Sequence, residues 1–318
     1  MKLGVCPQPF YRLPLPAALD TIAELGLCGL ELPVDARSPF VDLEGLLADG
    51  TAALEKLLAQ RGLGLTALSI HQEGQLLLGP HHRDTDAVCA GTPAEKVAYA
   101  GRRLRLAADL AQRLGVTTVV GFVGCEDYTR FFPWPAADGW ERMLPEFKER
   151  LLPILDHYAD RGVRFAQEPH PKQIIYNIET AAECLELLGH HDAFGFNLDP
   201  ANLVLAGVDP VVFAAELGDR IWHVHAKDAE SVPHHIRRSG LLAHGPWQRR
   251  DRGFRFRVPG FGDLDWRRIV TELIMADYDG WLAIEHEDPT FGPRDGVDKA
   301  IATLRPLLPT ELRTEPWW

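Results

Sequence analysis

The chain has few of the features that would tie it to membranes, nucleotide cofactors or disulfide frameworks. No run of apolar residues reaches the roughly eighteen that a membrane-spanning helix needs. No small-residue cleavage pattern follows the opening MKLGVCPQPFYRLP, so cytoplasm is the expected compartment. Neither GxGxxG nor GxxxxGK occurs after an early strand, so no nicotinamide or flavin cofactor and no phosphate loop is expected. Five cysteines, at 6, 28, 89, 125 and 184, form no CxxC pair, and their odd count argues against a disulfide scaffold. Cys6 and Cys28 sit in apolar runs and read as core thiols. Positive charge is also short: Lys+Arg 33 against Asp+Glu 45 leaves a net charge of -12, which disfavours extended contact with a nucleic-acid backbone.

What is present is a regular alternation. KLGVCP opens the chain, and PAALDTIAELG follows with helical spacing and stops at a glycine. CGLELPVD, LGLTALSIH, VTTVVGFVG, VRFAQE, AFGFNLD, RIWHVH and GWLAIE supply seven more strand candidates. Helical segments are predicted over roughly 42–61, 93–114, 140–160, 178–189 and 210–217, with another in DWRRIVTELIMADY. Continuous apolar strands suit parallel pairing with helices outside, because both faces of the sheet are then buried. The expected architecture is α/β: a single (β/α)8 barrel over residues 1–318, with an irregular tail from about 306. Extended loops are expected after strand four (122–140) and strand seven (229–262), on the C-terminal face where barrel active sites lie.

Four of the apolar runs end on groups that are costly to bury unpaired: Glu168, Asp199, His225 and Glu285. Brought together at one end of a barrel, three carboxylates and one imidazole make a site for one divalent ion, Mn, Mg, Co or Zn. Such an ion can polarise adjacent oxygens of a sugar-like substrate and lower the barrier to an enediolate. Glu168 and Glu285, on opposite sides of that substrate, are the candidates for moving a proton between carbons. His223 shares parity with His225 and is expected deeper in the strand as a support.

The segments FNLDPANLVLAGVDP, RIWHVHAKDAE, FRVPGFGDLDW and WLAIEHEDP together resemble the sugar phosphate isomerase/epimerase superfamily, the xylose-isomerase-like TIM barrels. The resemblance implies that Glu168, Asp199, His225 and Glu285 are the metal ligands, with the two glutamates as the proton-transfer pair of ketose epimerases. It implies a sugar, keto-sugar or related polyol as substrate, and homo-oligomerisation, which is common among such barrels; the terminal PWW is either a packed tail or a partner contact. By the same resemblance His71 and Arg257, preferred over Arg255, are candidate substrate contacts; Glu31, which closes a similar run on strand two, and Lys227, which can attract an oxyanion or pair with Asp228 or another acid, are further candidates from the residues themselves. The family often carries histidine three residues after the strand-six aspartate; here DPAN places Asn202 there, able to orient a hydroxyl but not to titrate. Trp134 and Trp222 can wall a sugar face or simply pack, and His234 and His235 are weaker candidates. The leading expectation is a metal-dependent isomerase or epimerase, and dehydration of a keto-inositol or keto-sugar is the main alternative. An apurinic-site endonuclease-like enzyme and a non-enzymatic sugar-binding protein rank below these.

Overall fold

The computed structural model describes residues 1–126 and 137–311. Seven short strands lead the chain: β1 (Lys2–Val5), β2 (Gly29–Pro33), β3 (Gly64–Ile70), β4 (Thr118–Gly121), β5 (Arg164–Gln167), β6 (Phe194–Leu198) and β7 (Ile221–Ala226). A two-stranded arm, β8 (Asp228–Ser231) and β9 (Phe254–Arg257), intervenes before β10 (Trp281–Ile284). Strands β1 to β7 and β10 pair in parallel in sequence order, and β10 closes onto β1 to complete an eight-stranded barrel. The apolar runs dictate this: β2 and β6 are buried along their whole length, as strands with helices on one side and barrel interior on the other must be. Leu30, Leu68, Val119, Phe165, Phe196 and Leu282 belong to the main core, packed between strands and helices.

Local chemistry sets most helix limits. Thr92 and Glu95 cap the longest helix, Pro93–Arg113, reciprocally: Thr92 Oγ1 accepts from the Glu95 amide and Glu95 Oε2 accepts from the Thr92 amide. The single helix anticipated over 42–61 is two, Leu43–Asp49 and Ala52–Ala59. Gly50 divides them with φ of 97°, a conformation that costs glycine little and other residues much.

The excursion after β7 is an arm with a core of its own rather than a loop. β8 and β9 pair antiparallel, Asp228 opposite Arg257, and a short helix at Pro233–Ser239 lies between them. Phe254 and Phe256 are buried against Ala201 and Ala229, while Arg255 and Arg257 alternate outward. Asp228 ties the base of the arm down, accepting from the amides of Ala229, Gly260 and Leu264 and from Trp266 Nε1. Of the excursion after β4, residues 127–136, including Trp134, lie outside the described residues, as does the terminal PWW. Among the described residues no helix is long and apolar enough to cross a membrane.

Candidate metal centre

The site lies where the strands end. Glu168, Asp199 and Glu285 each follow the last residue of their strand, and His71 follows the last residue of β3. That position is buried by the barrel yet free of sheet pairing, so a polar side chain there turns into the mouth. His225, one residue inside the end of β7, completes the group.

His225 Nδ1 lies 3.0 Å from Glu168 Oε2 and 3.0 Å from Glu285 Oε2. Neither His225 Nδ1 nor Glu285 Oε2 is in hydrogen-bonding geometry, although both are buried. One donor atom each from Glu168, Asp199 and His225 falls within a span of 4.8 Å. Donor atoms held about 2.1 Å from a divalent ion lie about 3 Å from one another, so these spacings fit the ligand shell of Mn, Mg, Co or Zn. The opposite nitrogen of His225, Nε2, lies 2.8 Å from Glu31 Oε2. A carboxylate only accepts, so Nε2 carries a proton, and Nδ1 is the nitrogen turned toward the centre, where an ion would take the place of its proton.

Each carboxylate has its own supports. Glu168 accepts from Asn202 Nδ2 at Oε1 (2.7 Å) and from Asn197 Nδ2 at Oε2 (2.9 Å), and His71 Nε2 lies 3.2 Å from Oε2. Asp199 caps the helix Pro200–Leu205: its Oδ1 accepts from the amides of Ala201 (2.9 Å) and Asn202 (3.1 Å). This leaves Oδ2 to Asn202 Nδ2 and Lys227 Nζ, each at 2.8 Å. Lys227 Nζ also lies 2.9 Å from Glu285 and 3.2 Å from Glu287, so its partners are these three acids and not Asp228.

Charge is the dominant feature of the cluster. Burial raises Glu168, but His225 and His71 overcome it and hold the carboxyl well below its usual range. Burial likewise opposes ionisation of Glu285, yet Lys227 and His225 hold it at about 2. Burial, offset in part by Lys227, combines with the charges of Glu168 and Glu285 to push Asp199 up to about 7. Burial pushes His225 down, and the negative field of the Glu31, Glu285 and Glu168 carboxylates overrides it, raising the imidazolium well above its ordinary range. The centre therefore favours positive charge at the point where the ligand atoms converge.

A cavity of about 640 Å³ opens above this cluster, lined by His71, Glu168, Asn202, Lys227 and Glu285, with Tyr11, Asp35, Phe122, His170, Trp247 and Phe256 among the walls. Two expected substrate contacts are not in its lining. Glu31 is fully buried and lies one layer down, its Oε2 bound to both His223 (3.0 Å) and His225 (2.8 Å). The reason is register: β2 runs two residues past Glu31, to Pro33, so the rim position falls to Asp35. Arg257 is drawn aside by Asp288 and Glu230, each at 2.7 Å, and clamps the arm to the segment after β10. His234 and His235 sit on the arm helix outside the cavity lining, and Trp222 packs with the Arg164 guanidinium 4.7 Å over its ring, near the N-terminal strand ends.

Several side chains of the cluster and its cavity carry little signal in the sequence. Asn197 shares the parity of Asp199, and that period-two signal was available. Asp35, whose two oxygens accept from the amides of His71 (3.1 Å) and Glu73 (3.0 Å), had no sequence signal beyond following a strand. His170 and Trp247 had none.

The family described as a xylose isomerase-like TIM barrel matches residues 19–307. An uncharacterized protein, YfiH of Bacillus subtilis, is 27% identical over 334 residues, covering 97% of this chain and 99% of that one. An inosose dehydratase of Lacticaseibacillus casei is 31% identical over 156 residues, spanning 44% of this chain and 48% of that protein. Among solved structures, the 3-keto-D-glucoside 4-epimerase YcjR from E. coli superposes with a TM-score of 0.67 at 16% identity, covering 95% of this chain and 99% of that one.

Proposed function

Because the chain belongs to the xylose isomerase-like TIM-barrel family, we propose that it is a divalent-metal-dependent isomerase or epimerase of a sugar, keto-sugar or related polyol. The observation that carries this reading is the convergence of Glu168 and Glu285 on His225 Nδ1, each at 3.0 Å, with His225 Nδ1 and Glu285 Oε2 out of hydrogen-bonding geometry and Asp199 beside them. Relatives and neighbours include an inosose dehydratase, a 3-keto-D-glucoside 4-epimerase and an L-ribulose 3-epimerase, which agrees with an oxygen-rich centre under a polar cavity.

When bound, the ion would polarise a carbonyl and its neighbouring hydroxyl and favour the enediolate. Glu168 and Glu285 stand on separate strands, β5 and β10, and can meet a bound ring from two sides. One takes the carbon-bound proton next to the carbonyl, and the other returns a proton to the adjacent carbon or to the opposite face. The Asn197 and Asn202 amides fix the plane of the Glu168 carboxylate, which keeps its geometry constant through the transfer. Lys227 presents an ammonium to the charge that develops on the substrate oxygens. The acidic mouth, with Asp35, Glu168, Glu285 and Glu287 against one lysine, suits a neutral substrate better than a phosphorylated one.

A second reading is dehydration of a keto-inositol or keto-sugar, favoured by the match to inosose dehydratases. It shares proton abstraction beside a carbonyl and then loses a neighbouring hydroxyl. Two groups of three ligand residues occur among the described residues, and both are built on His225, which supports one ion over the multi-metal cluster of an endonuclease.

Deuterium exchange in heavy water, followed by NMR over a panel of ketoses, keto-inositols and keto-sugars, tests the proposal. Metal-dependent incorporation at carbon is expected, lost in Glu168→Gln and in Glu285→Gln, and the product separates epimerisation, isomerisation and dehydration. Absence of exchange across the panel with folded, metal-loaded protein would sink it in favour of simple sugar binding.

A further inference from the structure

Beyond the ends of β3, β4 and β5 the cavity wall is made of three rings. Phe122, just after β4, stands between two histidines, its centroid 4.7 Å from that of His71 and 5.4 Å from that of His170. All three line the cavity, but the histidines are engaged differently. His71 Nε2 is turned to the Glu168 carboxylate at 3.2 Å. His170 bonds instead to its own loop, where Nδ1 accepts from the Lys172 amide at 3.1 Å. A ring nitrogen that accepts carries no proton, so His170 is a neutral imidazole with its proton on Nε2, and toward any other group it can only donate.

The loop fixes the direction of that N–H. The His170 amide donates to the Ile175 carbonyl at 3.1 Å, and the His170 carbonyl accepts from the Gln173 amide at 2.9 Å. Pro169 and Pro171 stand on either side, each with its φ locked. Gln173 is buried and ties the loop to the segment after β4, its Oε1 accepting from the amides of Val123 (3.1 Å) and Gly124 (2.6 Å). With Nδ1 turned back on the loop and Phe122 beside the ring, the Nε2–H edge is the polar part left to the cavity. No group among the described residues accepts from it.

The rest of the lining gives this donor its use. Asp35, Glu168, Glu285 and Glu287 only accept, and Lys227 is already held between three acids. We infer that His170 is a substrate-binding residue, its Nε2–H donating to one oxygen of the substrate and fixing how that substrate lies over the metal centre. This rests on the reading of the centre as one for polyols. The contact also sets specificity. A donor that gives up water and finds no acceptor is penalised beyond the loss of the bond itself, so the site rejects a substrate with hydrogen or an ammonium in place of that oxygen.

Calorimetric titration of the full, magnesium-loaded chain tests this without requiring turnover. The probes are ketopentoses, ketohexoses and keto-inositols, each with its monodeoxy analogues. For the best-binding sugar, one analogue is expected to bind at least about tenfold more weakly than its parent. His170→Phe, which keeps a ring against Phe122 and removes the donor, should weaken the parent sugar by a similar factor. The two losses should not add: in His170→Phe that deoxy analogue should bind as well as its parent sugar. His170→Gln, whose amide can donate from a similar position, should retain part of the discrimination, and thermal unfolding checks that both variants fold. Nitrogen NMR of isotope-labelled histidine rings checks the tautomer with no sugar present. A protonated Nδ1 at His170, losses that add at every position, or an unchanged Kd in His170→Phe overturns the inference. Sugar binding without the coupling overturns the inference alone, whereas no binding by any member of the panel brings down the polyol reading and the inference with it.

Discussion

The strand-end cluster and the arm beside it are built by different means, although they face one cavity. In the cluster the charged groups are held from separate segments of the barrel: Glu168 by Asn197 of β6, by Asn202 of the following helix and by His71 just after β3, and His225 by Glu31 of β2. The backbone of a closed barrel fixes those positions before any side chain is chosen. The arm is held by side chains, through Asp228 at its base, Arg257 on its edge and two buried phenylalanines. The strand-end cluster is thus set by the barrel, and the arm wall of the cavity by side-chain packing that sequence change can reshape.

Removing a cluster residue should have the largest effect. His225→Ala takes away the nitrogen at the centre and the one group that Glu31, Glu168 and Glu285 all approach, leaving them to His223, His71 and Lys227 respectively. Metal affinity should fall about a thousandfold or more, the loss of one ligand bond and its preorganised geometry, and metal-dependent exchange should vanish. Calorimetric titration with manganese checks this, and wild-type affinity in the variant would remove His225 from the ligand set.

Glu31→Gln tests the layer below, with a smaller effect. The amide can still accept at one atom, but it no longer offers a negative charge to two imidazoles. A roughly 10–100-fold loss of metal affinity is expected, the range for residues that orient a metal-bound histidine. The KM for a sugar substrate at saturating metal should change little, because Glu31 does not line the cavity. A large rise in KM at saturating metal would restore Glu31 as a substrate contact.

The same contrast explains what the sequence revealed. Glu168, Asp199 and Glu285 were legible because each closes an apolar run, and the residue after a barrel strand faces the mouth. Glu31 resembled them in composition, yet its strand continues to Pro33 and buries it a layer deeper. A two-residue difference in where pairing stops decides between lining a cavity and supporting its floor, and an apolar run does not mark that stop. The arm was harder to read. DAES looks polar and FRFR is only four residues long, and their pairing across more than twenty positions depends on burial of Phe254 and Phe256 against Ala201, a contact between distant segments. Arg257 followed the same fate: its partners Asp288 and Glu230 come from two separate segments, so its reach toward substrate was not decided locally.

Asp288→Asn should produce the smallest of these effects, and one that depends on pH. Asp288 is buried and accepts from Arg257 Nε at 2.7 Å, from the Val258 amide at 3.2 Å and from the Thr290 hydroxyl at 2.6 Å. Burial raises its pKa, but Thr290, Arg257 and the Val258 amide together hold the carboxyl below its ordinary value. A carboxylate lowered in the folded state stabilises it above the unfolded pKa of about 3.9, and that contribution is lost as pH falls through the folded value. At pH 7 the variant should lose about 1–3 kcal/mol in denaturant unfolding, the cost of weakening a charge-assisted bond and leaving donors short of an acceptor. The gap between parent and variant should narrow as the pH is taken below about 3.9, because the aspartate then protonates while the asparagine does not. Exchange at saturating metal should fall less than tenfold for a sugar substrate, since the clamp touches no metal ligand. A gap that stays constant into acid would mean that Asp288 holds the arm through shape and neutral hydrogen bonds, and that the ion pair with Arg257 contributes little.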